Sequence, residues 1–224
     1  MNNQNDEFVV SYLTLRQMIG WIGLLMPIAV RLGGYFFEGI KTTDSISAYY
    51  YTGMRDLFVS TLVLVGVLLA CFRTPHRNDN ILATVAGIAA IGIGIFPMDP
   101  TYATEILQKY PEMAATKCYV NRGILGFHFL FVGVFFATSF YLVYYRFSVL
   151  TTSIPTKQKL FRNKIYKVCG VAMLAAFVTI GFMAYTGRHA SIFWPEAVAV
   201  IAFAAAWLVK GQTIFTMLKD PPAT

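Results

Sequence analysis

The chain has 224 residues, 57% of them hydrophobic and 13% charged, with a mean hydropathy of +0.58. That is too little charge to coat a water-soluble globule, so the composition names lipid as the solvent and leaves no room for a separate soluble domain. The net charge of +7 would suggest nucleic acid in a soluble protein, but in a membrane protein its distribution matters more than its sum.

A span needs roughly 20 mostly apolar residues to cross a hydrocarbon core of about 30 Å, so a chain of this length holds about six. Residues 1–8 are polar and acidic and no small-residue cleavage site follows the first apolar run, so this start does not read as a cleaved signal peptide. Apolar runs bounded by charge or proline lie at about 17–37, 54–72, 81–96, 124–145, 165–186 and 193–209. Each is helical by necessity, because a span in lipid must satisfy its own backbone hydrogen bonds and none of the runs alternates like a barrel strand. The expectation is an all-α polytopic membrane bundle of about six transmembrane helices, one domain over 1–224, with no internal repeat.

Six spans put the N-terminus, the 73–80 and 146–164 loops and the C-terminus on one side. That side carries Arg16, Arg73, Arg77, Arg146, Lys157, Lys159, Arg162, Lys164, Lys167, Lys210 and Lys219, eleven cations against the four acids Asp6, Glu7, Asp79 and Asp220. The other side has seven of each. The excess marks the first side as cytoplasmic, with both termini inside. The acid-free 146–164 stretch is first of all a topology signal, and it could also hold anionic lipid headgroups.

Small residues recur every four positions at Ala86, Ala90 and Gly94, at Gly133 with Ala137, and at Ala202 with Ala206, a spacing that lets helices approach closely. Pro27 predicts a kink in the first span, and Trp21, Trp194 and Trp207 read as interfacial anchors. Cys71, Cys118 and Cys169 form no C-x-x-C pair and read as free or packing thiols.

The segment 38–56, EGIKTTDSISAYYYTGMRD, is denser in hydroxyls, charges and aromatics than a connector requires. A short helix starting near Asp44 or Ser45 would put Tyr49, Thr52 and Asp56 on one face, with Ser60 a turn deeper, pointing into the bundle. Asp99, Arg122, His128 and Glu196 arrive at the same extracytoplasmic level, and ionisable groups at that depth are functional candidates by default. Arg55, Arg122 and Arg31 could supply their partners. Each group also has a bland account. Glu196 follows Pro195 in the first turn of a helix, where the dipole favours an acid. Asp56 and Arg55 could be an interfacial ion pair, His128 a cross-helix hydrogen-bonding residue, and Tyr50 with its neighbours an aromatic belt.

The leading expectation is therefore a pocket at the outer face that binds a lipid or small amphiphile, with Asp56, Arg55, His128, Glu196, Asp99, Tyr50 and Arg122 as ligand-binding candidates. The acids and Arg55 would meet the headgroup and the Phe-rich fourth helix the acyl chain. A membrane-embedded lipid hydrolase could use the same cluster, with His128 as base and Ser47, Asp56 and Glu196 as further catalytic candidates. No G-x-S-x-G or H-E-x-x-H motif supports it. A zinc amidase of the alkaline ceramidase and progestin-receptor type needs three histidine ligands, and only His128 and His189 fall on the outer side. A channel or transporter should carry polar residues through mid-span positions that here are nearly all Leu, Val, Ile, Ala, Gly and Phe. A scaffold subunit would use the cluster only as a cap. No metal or other cofactor is expected, the expected partners are membrane lipids and not nucleic acid, and the oligomeric state stays open.

The segments SISAYYYTGMRDLFV from Ser45, HFLFVGVFF from His128 and FWPEA from Phe193 with WLVKG from Trp207 resemble those of small bacterial membrane proteins broadly similar to the DRAM/Sfk-type six-helix family. The resemblance implies six helices and a bacterial cytoplasmic membrane. It carries no reaction, ligand or catalytic residue.

Overall fold

The computed structural model describes residues 3–99, 103–109, 122–149, 156–186 and 192–212, apart from the side chains of 3–11, 104, 105, 107 and 122–125. The described chain is helical and contains no strand. Seven helices follow in order: α1 Asn3–Glu38, α2 Arg55–Cys71, α3 Arg77–Ile95, the short α4 Thr104–Lys109, α5 Arg122–Tyr141, α6 Lys157–Tyr185 and α7 Phe193–Lys210. Five of them, all but α2 and α4, are long and apolar enough to cross a membrane. With 17 residues, α2 rises about 26 Å and packs along α3 as the sixth member of the bundle.

The helices form a ring in which α1 meets α2 and α7, α2 meets α3, α3 meets α5, and α6 meets α7. The seam between α5 and α6 is the slightest of the ring. The α2–α3 contact is closest at two glycines, since a Cβ on Gly66 would lie 2.6 Å from the Gly87 carbonyl oxygen. Ala86, Ala90, Ala202 and Ala206 are buried as their spacing predicts. Gly133 and Ala137 are not packing positions: a Cβ on Gly133 would meet nothing within 4 Å, and Ala137 is exposed. Small residues let helices approach but do not by themselves supply a partner.

Helix ends differ from the apolar runs mainly where charge begins. α6 starts at Lys157, eight residues before its apolar run, with Thr156 accepting a hydrogen bond from the Lys159 N–H at 3.2 Å. Lysines leave the hydrocarbon without leaving the helix, so hydropathy marks the membrane boundary and not the helix end. Likewise α1 extends back to Asn3 and runs on through Pro27. α5 continues into one π-helical turn, Leu142–Arg146, closed by the Phe147 N–H donating to the Leu142 carbonyl at 2.8 Å.

Trp21 and Trp194 are exposed, as anchors should be, but Trp207 is fully buried. Its ring lies edge-on to Phe72 (centroids 4.9 Å apart) and Phe147 (5.2 Å), forming an aromatic core at the basic end. Lipid alone would not favour burying an indole there; close packing of three helix ends does. Cys71 and Cys169 are free thiols, and Cys118 lies outside the described residues.

Candidate functional site

The opposite end is closed by the chain between α1 and α2. Gly39 ends α1 at φ +63°, a left-handed conformation suited to glycine. Its N–H and that of Ile40 return to the carbonyls of Tyr35 and Gly34, both at 3.0 Å. The chain then dives inward. Residues Thr43 to Tyr49 are all buried, and Ser47–Tyr51 forms a 3₁₀ turn. The segment is thus a plug, where the sequence suggested a capping helix.

Buried loop backbone must find partners, and here they come from distant helices. Glu196 Oε2 accepts the Ile46 N–H at 2.6 Å and the carboxylate also accepts the Ser47 N–H. The Phe193 N–H donates to the Asp44 carbonyl at 2.9 Å. Ser45 Oγ accepts the Ala48 N–H at 3.1 Å and donates to Met98 Sδ at 3.3 Å. Tyr51 donates to the Met98 carbonyl, and burial, reinforced by the neighbouring Tyr50 and Asp99 charges, pushes its phenol well above the ordinary tyrosine range. Glu196 therefore caps the 3₁₀ turn of the plug, a role that position in its own first turn did not disclose.

His128 fixes the other side. Its Nδ1 is 2.7 Å from the Phe96 carbonyl and its Nε2 is 3.2 Å from Ser47 Oγ. A carbonyl can only accept, so Nδ1 carries the proton and Nε2 is the acceptor for the Ser47 hydroxyl. His128 is 2% exposed, so the pair is shielded from bulk water.

These groups floor a cleft of about 410 Å³ that opens at the α5–α6 seam. Asp44, Ser45, Ser47, His128 and Glu196 form its polar end. Phe129 and Val132 of α5, and Phe177, Ile180, Gly181 and Ala184 of α6, form apolar walls. No family model matches this chain, and neither does any curated protein or solved structure. What the cleft handles must be argued from its own chemistry.

The structure brings together only some of the residues singled out in sequence. Ser47, His128 and Glu196 share the cleft. Asp56 and Arg55 do not line it: α2 starts at Arg55, which turns both outward into exposed positions. Arg55 donates to the Tyr50 hydroxyl at 2.8 Å and stacks over the Tyr50 ring, so its contact is with Tyr50 and not with Asp56, the ion pair that was the bland alternative. Ser60 is exposed and donates to the Leu57 carbonyl of its own helix. Asp99 is half-buried near Tyr51 and outside the cleft lining. Arg31 stacks over Trp194 at 4.7 Å. Arg122 opens α5, but its side chain lies outside the described residues, as does His189. The sequence reading missed Met98 and the whole α6 wall, since Phe177, Ile180 and Ala184 look like any lipid-facing residues. Among the described residues, no three of His, Cys, Asp and Glu gather where they could hold a metal ion.

Proposed function

We propose that this integral membrane protein binds a single-chain or similarly slender amphiphile in the α5–α6 cleft, at the extracytoplasmic side of a bacterial cytoplasmic membrane. The observation that carries the reading is the cleft's polarity gradient. Hydroxyls, an imidazole and the carboxylates of Asp44 and Glu196 sit at one end, and the rest of the lining is apolar, six of its residues coming from α5 and α6. About 410 Å³ lies in the range of ligand-sized pockets, and an apolar wall with a few convergent polar groups is their usual pattern. The slight α5–α6 contact offers lateral entry from lipid, so the ligand need not cross water.

A photoactivatable C16 fatty acid, with its diazirine on the chain, tests this in detergent-solubilised protein. Expected are adducts on Phe129, Val132 or Phe177, suppressed by excess palmitate and lost in Gly181→Trp. Gly181 lines the cleft and a Cβ there meets nothing within 4 Å, so the substitution adds an indole at the cleft wall. Uniform labelling around the belt, unchanged by Gly181→Trp, would sink the proposal.

One observation favours a second reading, a lipid ester hydrolase. Ser47 donates to a histidine whose tautomer is set for accepting its proton, the relation a serine nucleophile needs. Against it, the amides of Ile46 and Ser47, adjacent to that hydroxyl in the chain, are already taken by a carboxylate and cannot also stabilise an oxyanion. Binding therefore ranks first. A fluorophosphonate probe that labels Ser47 in the native protein and not in His128→Ala would reverse the order.

A further inference from the structure

The seam between α5 and α6 is a wedge, open near the plug and shut toward the basic end. At its open end a Cβ on Gly181 of α6 meets no described atom within 4 Å. Eleven residues earlier in the same helix, about 16 Å away, a Cβ on Gly170 would lie 2.8 Å from the Tyr144 Cβ, so there α6 already touches the π turn that continues α5.

Between these levels the cleft comes to a blind end. Phe177 is the α6 lining residue farthest from the plug, and its ring meets that of Phe136 on α5 with centroids 5.9 Å apart. Phe136 lies one turn beyond Val132, the α5 lining residue farthest from the plug. Rings at that spacing are in contact and leave no passage for a methylene between them. One turn further along α6, Met173 is 1% exposed where Phe177 is 39% exposed, so close packing resumes directly beneath the pair. The inward direction is closed as well. Ser47, Val132 and Glu196 separate the cleft from a cavity at the bundle centre of only about 50 Å³, room for a water or two and not for a chain.

Helix geometry gives the length that remains. Ala184, the α6 lining residue nearest the plug, and Phe177 at the blind end are seven residues apart, about 10 Å along the helix. A staggered hydrocarbon with C–C bonds of about 1.5 Å advances about 1.3 Å per carbon, so about eight carbons fit between them. A longer chain has one way on, sideways through the open seam. Lipid tails are as apolar as the cleft wall, so leaving there costs little.

We propose that the cleft reads about the first eight carbons of a single-chain amphiphile and is indifferent to the rest, the Phe136–Phe177 contact being the pair that sets the limit. This deepens the amphiphile reading of the cleft and rests on it. Its ligands are then single chains of about eight carbons or more, held at the polar end and released to the bilayer beyond the two rings.

Two palmitic acids, one with a diazirine at carbon 6 and one at carbon 12, are photolysed separately with full-length protein in a neutral maltoside detergent, and adducts are located by peptide mass spectrometry. Carbon 6 reaches about 7 Å from the carboxyl and carbon 12 about 14 Å, on either side of the blind end. In the parent, carbon 6 should label Val132, Phe177 or Ile180. A carbene inserts only into atoms it touches, so cleft adducts should be at least about tenfold fewer with carbon 12. Phe177→Ala lengthens the cleft by one helical turn, about 5.4 Å or four carbons, so carbon 12 should recover at least about fivefold and reach Met173. Phe182→Ala removes an exposed ring of the same helix outside the cleft and should change neither pattern. Equal labelling of the cleft by both probes, or a Phe177→Ala pattern identical to the parent's, would overturn the length limit while leaving binding intact. Cleft adducts from neither probe would overturn the amphiphile reading and the limit with it. If Phe177→Ala fails to fold, the comparison of the two carbons in the parent decides alone.

Discussion

Removing the Glu196 carboxylate should unlock the plug while leaving the bundle assembled. In Glu196→Ala the amides of Ile46 and Ser47 lose their acceptor inside a segment whose neighbours are all buried. A buried donor left unsatisfied costs about 1–3 kcal/mol, so two cost about 2–4 kcal/mol once some water reaches them through the cleft. If plug opening governs exchange, those amides and the adjacent Ala48 and Tyr49 should exchange about 30- to 700-fold faster, at about 1.4 kcal/mol per decade. Hydrogen–deuterium exchange with mass spectrometry on peptides spanning 40–54 reads this directly, with peptides from α3 and α7 as internal references. Glu196→Gln keeps an oxygen acceptor and should retain most of the protection. Unchanged exchange over 40–54 in the alanine variant would refute the view that this carboxylate holds the plug; equal acceleration everywhere would mean that the whole bundle had loosened instead.

Three further outcomes are expected. Gly87→Ala should destabilise by about 1–3 kcal/mol, because its Cβ would press on the Gly66 carbonyl and the α2 backbone. Gly133→Ala should stay within about 0.5 kcal/mol of the parent, and equal effects of the two in denaturant unfolding would contradict the close α2–α3 approach. Trp207→Ala should cost about 3–5 kcal/mol by the same measurement, since a fully buried indole amid Phe72, Phe147 and Phe203 leaves a cavity. Tyr51 has a raised folded pKa, so its contribution is fully present below the unfolded value of about 10 and fades as pH climbs beyond that. The stability gap between the parent and Tyr51→Phe should therefore narrow from pH 9.5 upward in thermal unfolding, and a constant gap would exclude the linkage.

The helices were legible because lipid makes them a matter of composition: apolar runs must be helical. His128, Ser47 and Glu196 were legible as a group by depth alone. Their roles were not, because Glu196 serves a turn 150 positions away in the chain, and nothing in its local setting distinguishes that from capping its own helix. Asp56 and Arg55 were misplaced for a related reason. The short helix expected from Asp44 would have put Asp56 on one face with Tyr49 and Thr52, but that stretch forms only the turn Ser47–Tyr51 and a new helix begins at Arg55, so the register linking them is broken. The α6 wall was hidden because an apolar residue facing a cleft and one facing lipid satisfy the same solvent.

The plug also bears on biosynthesis. Residues 40–54 leave the ribosome early, yet the groups that satisfy their backbone, Glu196 and the Phe193 N–H, lie in the last helix. Until α7 inserts, the Ile46 and Ser47 amides and the Asp44 carbonyl lack these partners, so the loop stays hydrated at the membrane surface. Closure of this end of the bundle then waits on α7, and a chain arrested before α7 would display an open, protease-accessible first loop. An unclosed loop of this kind would distinguish incomplete molecules from finished ones.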